Sequence, residues 1–539
     1  MARKWAGTGI AFILTLLFAF WMNYLLLPAW TLSSGGLWGY FILVLSAGCA
    51  FFSIANAVTS RRNGARDFAP TIAVALLTAL LLIAGCLASI TSWKLTSSRA
   101  YKNSVQVSEN GAAQEDLPRV ASERDIPAID MITARQLGDR TMGSMAEFIS
   151  QYEVDGEYNM ILYQGKPYRI SPLLYGGFFK YLSNRDHGIP GYVLVDIYTQ
   201  KSTLERLENP IQYSPSASFG HKLKRHLRGL YPTCVFGKEQ FEIDDNGTPY
   251  YVVPVLSPTV GLFGARAVSK VLLVNAVTGE AGEYMPEQVP EWVDHVYGVA
   301  HVMERVGWYY AYGNGYWNTV FANRGVRKTS YSFDDTQYFF FPRGNDIYLY
   351  TGITSSGKDE SNIGFVLCNV RTGDIVYYAS AGAEESSAQA SAQGAVQHLG
   401  YAAGAVMLCT VDGIETYYMA LKDNSNLVKM HALVNKQTYT IVSVEASFDR
   451  AIAAYRAKLR QDANEQVSGR IEELYTAIIE GNTYFFFVLE GDPGRLYRSS
   501  IANGDSQIRM NIGDYVEALC HAGVDATAAY EVSGITLPK

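Results

Sequence analysis

Hydrophobic residues follow two different patterns along this chain of 539 residues. In the first 92 residues they form three long apolar runs without an internal charge, at about 8–30, 37–58 and 68–90. Each run reaches the roughly 20 residues that a helix needs to cross a bilayer. We therefore predict a membrane domain of residues 1–95 with three transmembrane helices.

The basic residues around these runs indicate an orientation. Arg3 and Lys4 precede the first run, and Arg61, Arg62 and Arg66 lie between the second and the third. Because positive residues are retained in the cytoplasm, we expect a cytoplasmic N-terminus and an extracytoplasmic C-terminal region. The predicted location is the cell membrane, with several passes through the bilayer.

Beyond residue 127 the apolar residues fall into short alternating runs rich in Tyr, Phe and Val, which is typical of antiparallel β structure. An apolar strand, a turn and a second strand recur at 193–206, 271–284, 366–378 and 433–442. A hairpin precedes each copy, with its turn at Gln164-Gly165, Asn246-Gly247, Gly344-Asn345 and Asp412-Gly413. Helices are expected before at least three of these hairpins, at 141–152, 216–232 and 386–401.

A helix, a hairpin and an apolar strand that ends in a Thr-Gly turn resemble the PepSY-like modules of bacterial envelope and secreted proteins. The best copies are "VNAVTGEAGEY" and "CNVRTGDIVYY". The resemblance implies four units, at 128–210, 211–290, 291–380 and 381–446. The whole chain also resembles an uncharacterised family of Gram-positive multi-pass envelope proteins, which implies a cell-envelope location but no activity.

The remaining segments differ from these units in composition. Residues 96–127 are polar with few large apolar residues, so we interpret them as a stalk. Residues 447–465 are expected to form a connecting helix, and 523–539 a tail. Between them, 466–522 alternate over about five short strands, and "NIGDYVEAL" resembles the last strand of a small OB-like barrel.

The predicted fold class is therefore three N-terminal transmembrane α-helices, followed by an extracytoplasmic α+β region. That region consists of repeated helix-plus-antiparallel-sheet units and a small C-terminal β-barrel. Only five of the 44 basic residues and one of the 51 acidic residues lie in the first 92, so the rest carries a net charge of −11. This acidic balance argues against a nucleic-acid partner.

The sequence contains no recognisable catalytic, cofactor-binding or metal-binding motif. The pairs His221/His226 and His295/His301 are five and six residues apart, which does not put two imidazoles on one face of a helix. The four cysteines outside the membrane domain lack metal-ligand spacing, so we expect free buried thiols rather than a disulfide framework. No catalytic residue, metal or cofactor is assigned.

One candidate binding site is the basic run Lys222, Lys224, Arg225 and Arg228. Outside a Gram-positive membrane these residues could bind the phosphates of an anionic polymer or lipid. They also fit the solvent face of one helix near its C-terminal end, where positive charge is favourable. Both interpretations remain open.

A second candidate is the aromatic stretch 308–321, "WYYAYGNGYWNTVF". Trp308, Tyr309, Tyr312, Tyr316 and Trp317 could form a groove for sugars or peptides, because their flat apolar faces carry polar edges. The alternative is an aromatic core between two units.

These observations favour a membrane-anchored scaffold or binding protein of the cell envelope. Its helices would span the lipid bilayer, and its modules would present surfaces to a wall polymer, a peptide or another envelope protein. The alternative is a cell-envelope enzyme whose active site is assembled between modules and is therefore invisible to local motifs. A deep pocket with converging polar groups would bear on this choice.

Overall fold

A computed structural model describes residues 2–63, 68–110, 116–122, 126, 129–330, 338–355, 361–462, 465–479, 482–501, 505–521 and 529–537. The chain forms two compact units. The first contains Met1–Asp116 and Pro127–Glu384, and the second contains Leu117–Ile126 and Glu385–Lys539.

The first compact unit begins with three long helices, α1 (Ala2–Leu26), α2 (Gly35–Asn63) and α3 (Ala69–Ser92). Each contains a segment that is long and apolar enough to cross a membrane, so the three predicted membrane helices are confirmed as candidate spans. Helix α1 ends earlier than predicted. Leu27 has a φ of +48°, and the following Pro28 disfavours helical backbone at this position.

The segment predicted to be a polar stalk contains regular structure in its described part. It includes helix α4 (Lys94–Asn103) and strand β1 (Ser108–Asn110), which pairs in parallel with a later strand. The few apolar residues of this segment are almost all buried: Tyr101, Val105, Leu117, Val120 and Ile126. These residues pack into the folded units, so the described part of the segment is not a free stalk.

Three sheets follow in the first compact unit. The first sheet contains β2 (Tyr152–Val154), β3 (Asn159–Tyr163), β4 (Lys166–Tyr175), β5 (Ile189–Asp196) and β6 (Ser202–Ile211). The second contains β7 (Gln240–Ile243), β8 (Pro249–Pro258), β9 (Arg266–Asn275) and β10 (Ala281–Tyr284). The third contains β11 (Arg327–Thr329), β12 (Tyr338–Arg343), β13 (Asp346–Ser355), β14 (Asn362–Asn369) and β15 (Ile375–Gly382), with β1 at its edge. Apart from the β1–β15 pair, neighbouring strands are antiparallel.

The helices of this unit are α5 (Met131–Gly143), α6 (Phe178–Asn184), α7 (Leu223–Leu230), α8 (Val299–Ala311) and α9 (Tyr316–Phe321). The helix expected at 141–152 is wrong, because α5 begins ten residues earlier. Asp130 sets this start, since its carboxylate accepts a hydrogen bond of 2.9 Å from the Thr133 N–H at the first turn. Helix α7 is shorter than predicted, and a 3₁₀ turn precedes it at Phe219–His221.

The second compact unit contains a fourth sheet and a barrel. Its helices are α10 (Glu385–Ala395) and α11 (Phe448–Asp462), and its sheet contains β16 (Ala402–Ala403), β17 (Met407–Val411), β18 (Ile414–Lys422), β19 (Val428–Asn435) and β20 (Val442–Glu445). The last strands are β21 (Glu465–Ile479), β22 (Asn482–Leu489), β23 (Asp492–Ser500), β24 (Tyr515–His521) and β25 (Tyr530–Thr536), which close into a barrel. Strand β25 lies in the predicted tail, where it pairs with both β23 and β24 and so leaves neither with a free edge.

The recurring apolar strand and its turn have the same physical basis in all four sheets. In each sheet, the apolar strand of this repeat ends at an Asp or an Asn, namely Asp196, Asn275, Asn369 or Asn435. The side chain of this residue accepts hydrogen bonds from the backbone N–H groups two and three residues later. This local bonding turns the chain into the next strand.

The two Thr-Gly copies add a second feature. Gly279 and Gly373 have φ values of +78° and +77°, which favour glycine. A Cβ at either position would lie 2.4 or 2.6 Å from a ring carbon of Tyr213 or Tyr297. The turn is therefore a packing element in both copies.

Candidate functional site

A cavity of about 500 Å³ lies in the first compact unit, lined by residues from all three of its sheets. Helix α5 contributes Arg135 to the lining, β4 contributes Arg169, and β12 contributes Phe340. The segment before α8 and the start of that helix contribute His295 and His301. Side chains far apart in the sequence therefore converge on one cavity, as in many ligand sites.

Arg169 is the most unusual group of this cavity, because its positive charge is almost completely buried, with 4% of its surface exposed. Its Nε and Nη1 donate to the carbonyl oxygens of Ile129 (3.4 Å) and Tyr158 (3.2 Å). Among the described residues, no carboxylate lies within 4.0 Å of its nitrogens. The two carbonyls provide dipoles but do not neutralise the charge.

Burial lowers the pKa of Arg169, and the nearby Asp130 and Tyr338 oppose this shift. A guanidinium remains charged at neutral pH despite such shifts. A buried charge without an ionic partner is unfavourable. The cavity therefore contains a cation that an anion would stabilise.

The other two basic side chains of the lining already have partners. Arg135 donates to the Gly156 carbonyl from Nε (2.9 Å) and Nη2 (2.6 Å), and Lys238 forms an ion pair with Glu157. Glu304 lies at the exposed side of the lining. Arg169 is thus the basic group of the described lining that combines full burial with the lack of an ion pair.

His295 is a neutral structural member of the cavity wall. Its Nε2 lies 2.6 Å from the Met160 carbonyl oxygen, so this nitrogen carries the proton and donates it. Burial, together with the positive charge of Arg169, lowers the pKa of His295 to about 4. The ring therefore adds no positive charge at neutral pH.

His301 is less constrained. Burial lowers its pKa to about 4, and Arg305 adds to the shift. Its Nε2 is buried and makes no hydrogen bond within the described structure. A neutral imidazole nitrogen at the cavity is thus available to a ligand or to water.

A buried acidic network behind the cavity fixes His295. The Glu242 carboxylate accepts hydrogen bonds from the N–H groups of Asp294 (2.8 Å) and His295 (2.7 Å). The Asp294 carboxylate accepts one from the Leu162 N–H (2.6 Å) and lies 4.0 Å from Arg371. These contacts join strands of the first and second sheets to the turn after β14 in the third, and so hold the cavity walls together.

Burial and mutual repulsion control the charge of this network. Burial, and then the proximity of Asp294, raises the pKa of Glu242. Burial likewise raises the pKa of Asp294 to about 7, although the Leu162 N–H and Arg371 lower it. Arg371 is shared with Asp346, whose Oδ1 lies 2.6 Å from its Nη2. The network is therefore partly protonated at neutral pH.

The four residues of the predicted basic cluster do not share one environment in the structure. Arg225 contacts the end of membrane helix α1, with its Cζ 3.9 Å from the centre of the Tyr24 ring and its Nη2 3.1 Å from the Tyr24 carbonyl oxygen. The Nε of Arg228 donates to the Leu27 carbonyl (3.2 Å). Lys224 is exposed and Lys222 is half-buried. Arg225 and Arg228 thus connect α7 to the C-terminal end of α1.

The residues of the predicted aromatic groove also differ in their exposure. Trp308 and Tyr312 are buried, each 9% exposed, and their rings pack against Tyr101 of α4. Tyr309 and Tyr316 are half-buried, whereas Trp317 is 58% exposed and stacks on Phe321. The five rings are neighbours, but they do not present one continuous exposed surface.

Sequence reasoning missed Arg169 and considered His295 and His301 only as a pair of metal ligands. The sequence does contain one indication of a buried charge, because Arg169 lies within "YRISPLLY", a strand that is otherwise largely apolar. Among the described residues, no group of three or more His, Cys, Asp or Glu is positioned to hold a metal ion. No protein-family model and no curated protein matches this chain.

Proposed function

We propose that this protein is a membrane-anchored binding protein of the cell envelope, and that its cavity binds the acidic group of a ligand. The C-terminal region lies outside the cytoplasm in this proposal, as the positive residues around the spans favour. The four sheets act as tandem PepSY-like modules, and the C-terminal strands as an OB-like barrel. Wall polymers, peptides and partner proteins all include members with carboxylates or phosphates.

The observation that carries this proposal is the buried guanidinium of Arg169, which lines a cavity of about 500 Å³ without a carboxylate partner among the described residues. Arginine is well suited to bind carboxylate or phosphate through two parallel hydrogen bonds. Desolvation strengthens such a contact, because charges interact more strongly in a less polar environment.

Binding fits the lining better than catalysis does. The described lining residues include no serine, threonine or cysteine that could act as a nucleophile. The alternative, an envelope enzyme with a site assembled between modules, is supported by His301, whose free Nε2 could accept a proton.

Recovery of the ligand with the protein tests the proposal. The full-length protein would be purified from its own membranes and denatured, and the released small molecules and peptides would be identified by mass spectrometry. We expect an acidic compound to co-purify with the wild type and to be lost with Arg169→Met. The Lys436→Met variant serves as a control, because Lys436 is also buried but already pairs with Glu415.

An equal amount of every acidic compound in the wild type and in Arg169→Met would contradict the proposal. The alternative has its own readout in the same material. Conversion of the recovered compound by the wild type, abolished in His301→Gln without loss of binding, would favour the enzyme.

A further inference from the structure

The end of α3 and the start of α2 lie in direct contact with the second sheet of the first compact unit. At the end of α3, the Ser92 hydroxyl accepts a hydrogen bond from the Phe263 N–H (2.9 Å) in the loop between β8 and β9. Near the start of α2, the Ser33 carbonyl accepts one from Arg266 (2.8 Å). These contacts show which side of the sheets lies next to the ends of the spans.

A cluster of exposed aromatic residues lies on this same side. Phe178, Phe179 and Phe219 are 49%, 79% and 46% exposed. Their rings touch one another, with centres 5.7 Å apart for Phe178 and Phe179 and 6.0 Å apart for Phe178 and Phe219. An exposed apolar cluster of this kind marks an interaction surface.

One guanidinium joins this cluster to the first span. Arg225 donates from Nη1 to the Phe219 carbonyl (3.0 Å) and from Nη2 to the Tyr24 carbonyl (3.1 Å). Tyr24 lies two residues before Leu26, the last residue of the first candidate span. Phe219 is therefore held at the level where this helix leaves the hydrocarbon core.

We propose that Phe178, Phe179 and Phe219 insert into the bilayer leaflet that surrounds the end of α1. Aromatic side chains are favoured at this depth, where an apolar ring contacts acyl chains beside the headgroups. The nearby Lys222 and Lys224 add positive charge, which suits the phosphates of lipid headgroups. The occupant of this surface is thus the membrane in which the protein is anchored, and the inference does not depend on the cavity ligand.

Spin labels on the full-length protein in lipid vesicles test this inference. Cys49, Cys86 and Cys234 would be replaced by alanine, since they are not fully buried, and a label would be attached at Phe179→Cys. The matched control is Asp245→Cys, an exposed position in the turn between β7 and β8. Strand β8 has ten residues, so this turn lies roughly 30 Å from the loop that contacts Ser92.

We expect the label at position 179 to collide more often with oxygen, which concentrates in lipid, than with a water-soluble nickel reagent. The label at position 245 should show the reverse preference. A label at position 179 that prefers the aqueous reagent would overturn the proposal. So would one shielded from both reagents, or one broadened by a second label, because these results indicate a protein partner or a second copy.

Discussion

Two buried cations, one in each compact unit, are compensated in different ways. Lys436 has a fully buried side chain, and its Nζ lies 3.1 Å from the Glu415 carboxylate. Arg169 is almost equally buried, yet its guanidinium donates to two backbone carbonyls, lies 5.7 Å from the centre of the Phe340 ring, and lines a cavity. Burial lowers the pKa of both groups, while Glu415 opposes this shift at Lys436 and the more distant Tyr338 and Asp130 oppose it at Arg169.

This difference distinguishes a charge that is paired within the fold from a charge that is available to a ligand. An ion pair completed within the fold leaves no demand for a ligand. A buried guanidinium that lines a cavity, with no carboxylate of the described residues within 4.0 Å, can still pair with an anion from outside. Under the proposed function, Lys436 contributes to stability and Arg169 to ligand binding.

The largest expected effect is that of Lys436→Met on stability. The substitution removes the cation that lies 3.1 Å from the Glu415 carboxylate, which is only 15% exposed. Removal of one member of a buried pair costs about 3–5 kcal/mol. Calorimetry of the full-length protein in lipid nanodiscs should show a lower melting temperature. Glu415→Gln in the same chain should recover part of the loss, and no recovery would argue against the pair.

A smaller loss is expected for Gly279→Val, which affects a turn and no charge. A valine at a φ of +78° is strained, and its Cβ would collide with the Tyr213 ring. Together these effects should cost about 3 kcal/mol. The melting temperature should fall while anion binding is retained. Loss of binding at an unchanged melting temperature would show that this turn is a contact site instead.

Arg169→Met should destabilise the ligand-free protein by only about 1 kcal/mol. Two carbonyls lose their donor, but an uncompensated charge is removed at the same time. Calorimetry in the same nanodiscs would measure the change. A loss as large as that of Lys436→Met would indicate that Arg169 has a structural role comparable to the ion pair.

The last prediction concerns pH and the acidic network behind the cavity. The pKa of Asp294 is raised to about 7 in the folded protein, above its unfolded value. The folded state therefore keeps a proton that the unfolded chain releases, and this contribution to stability is lost as the pH rises from about 4 to 7. Asp294→Asn, which cannot titrate, should lose less stability over this range. Identical pH profiles of melting temperature would contradict the raised pKa.

Several parts of the fold could be predicted from local sequence. The three candidate membrane helices follow from composition, and Gly165 and Gly413 in the two predicted turns have the positive φ values that glycine favours. The helix before the first sheet was misplaced, because its position depends on the single cap at Asp130. The end of the barrel was missed, since β25 pairs with strands that precede it in the chain.

The cavity could not be predicted in this way. Arg169, His295 and Phe340 lie more than 40 residues apart, so no local motif joins them. The contacts of Arg225 and Arg228 with the end of α1 span about 200 residues, and helical periodicity indicates a face but not its partner. Only the assembled fold shows which charges have partners.

Stabilisation by a small anion tests the central claim most directly. The full-length protein in nanodiscs would be melted in sodium sulfate and in sodium chloride of equal ionic strength, for the wild type, Arg169→Met and Lys436→Met. A bound anion at 100 times its dissociation constant stabilises a protein by about 2.7 kcal/mol. We predict that sulfate raises the melting temperature of the wild type and of Lys436→Met more than that of Arg169→Met, whose response reports only the general stabilisation by an excluded salt. Equal responses of the wild type and Arg169→Met would contradict the assignment of Arg169 to binding.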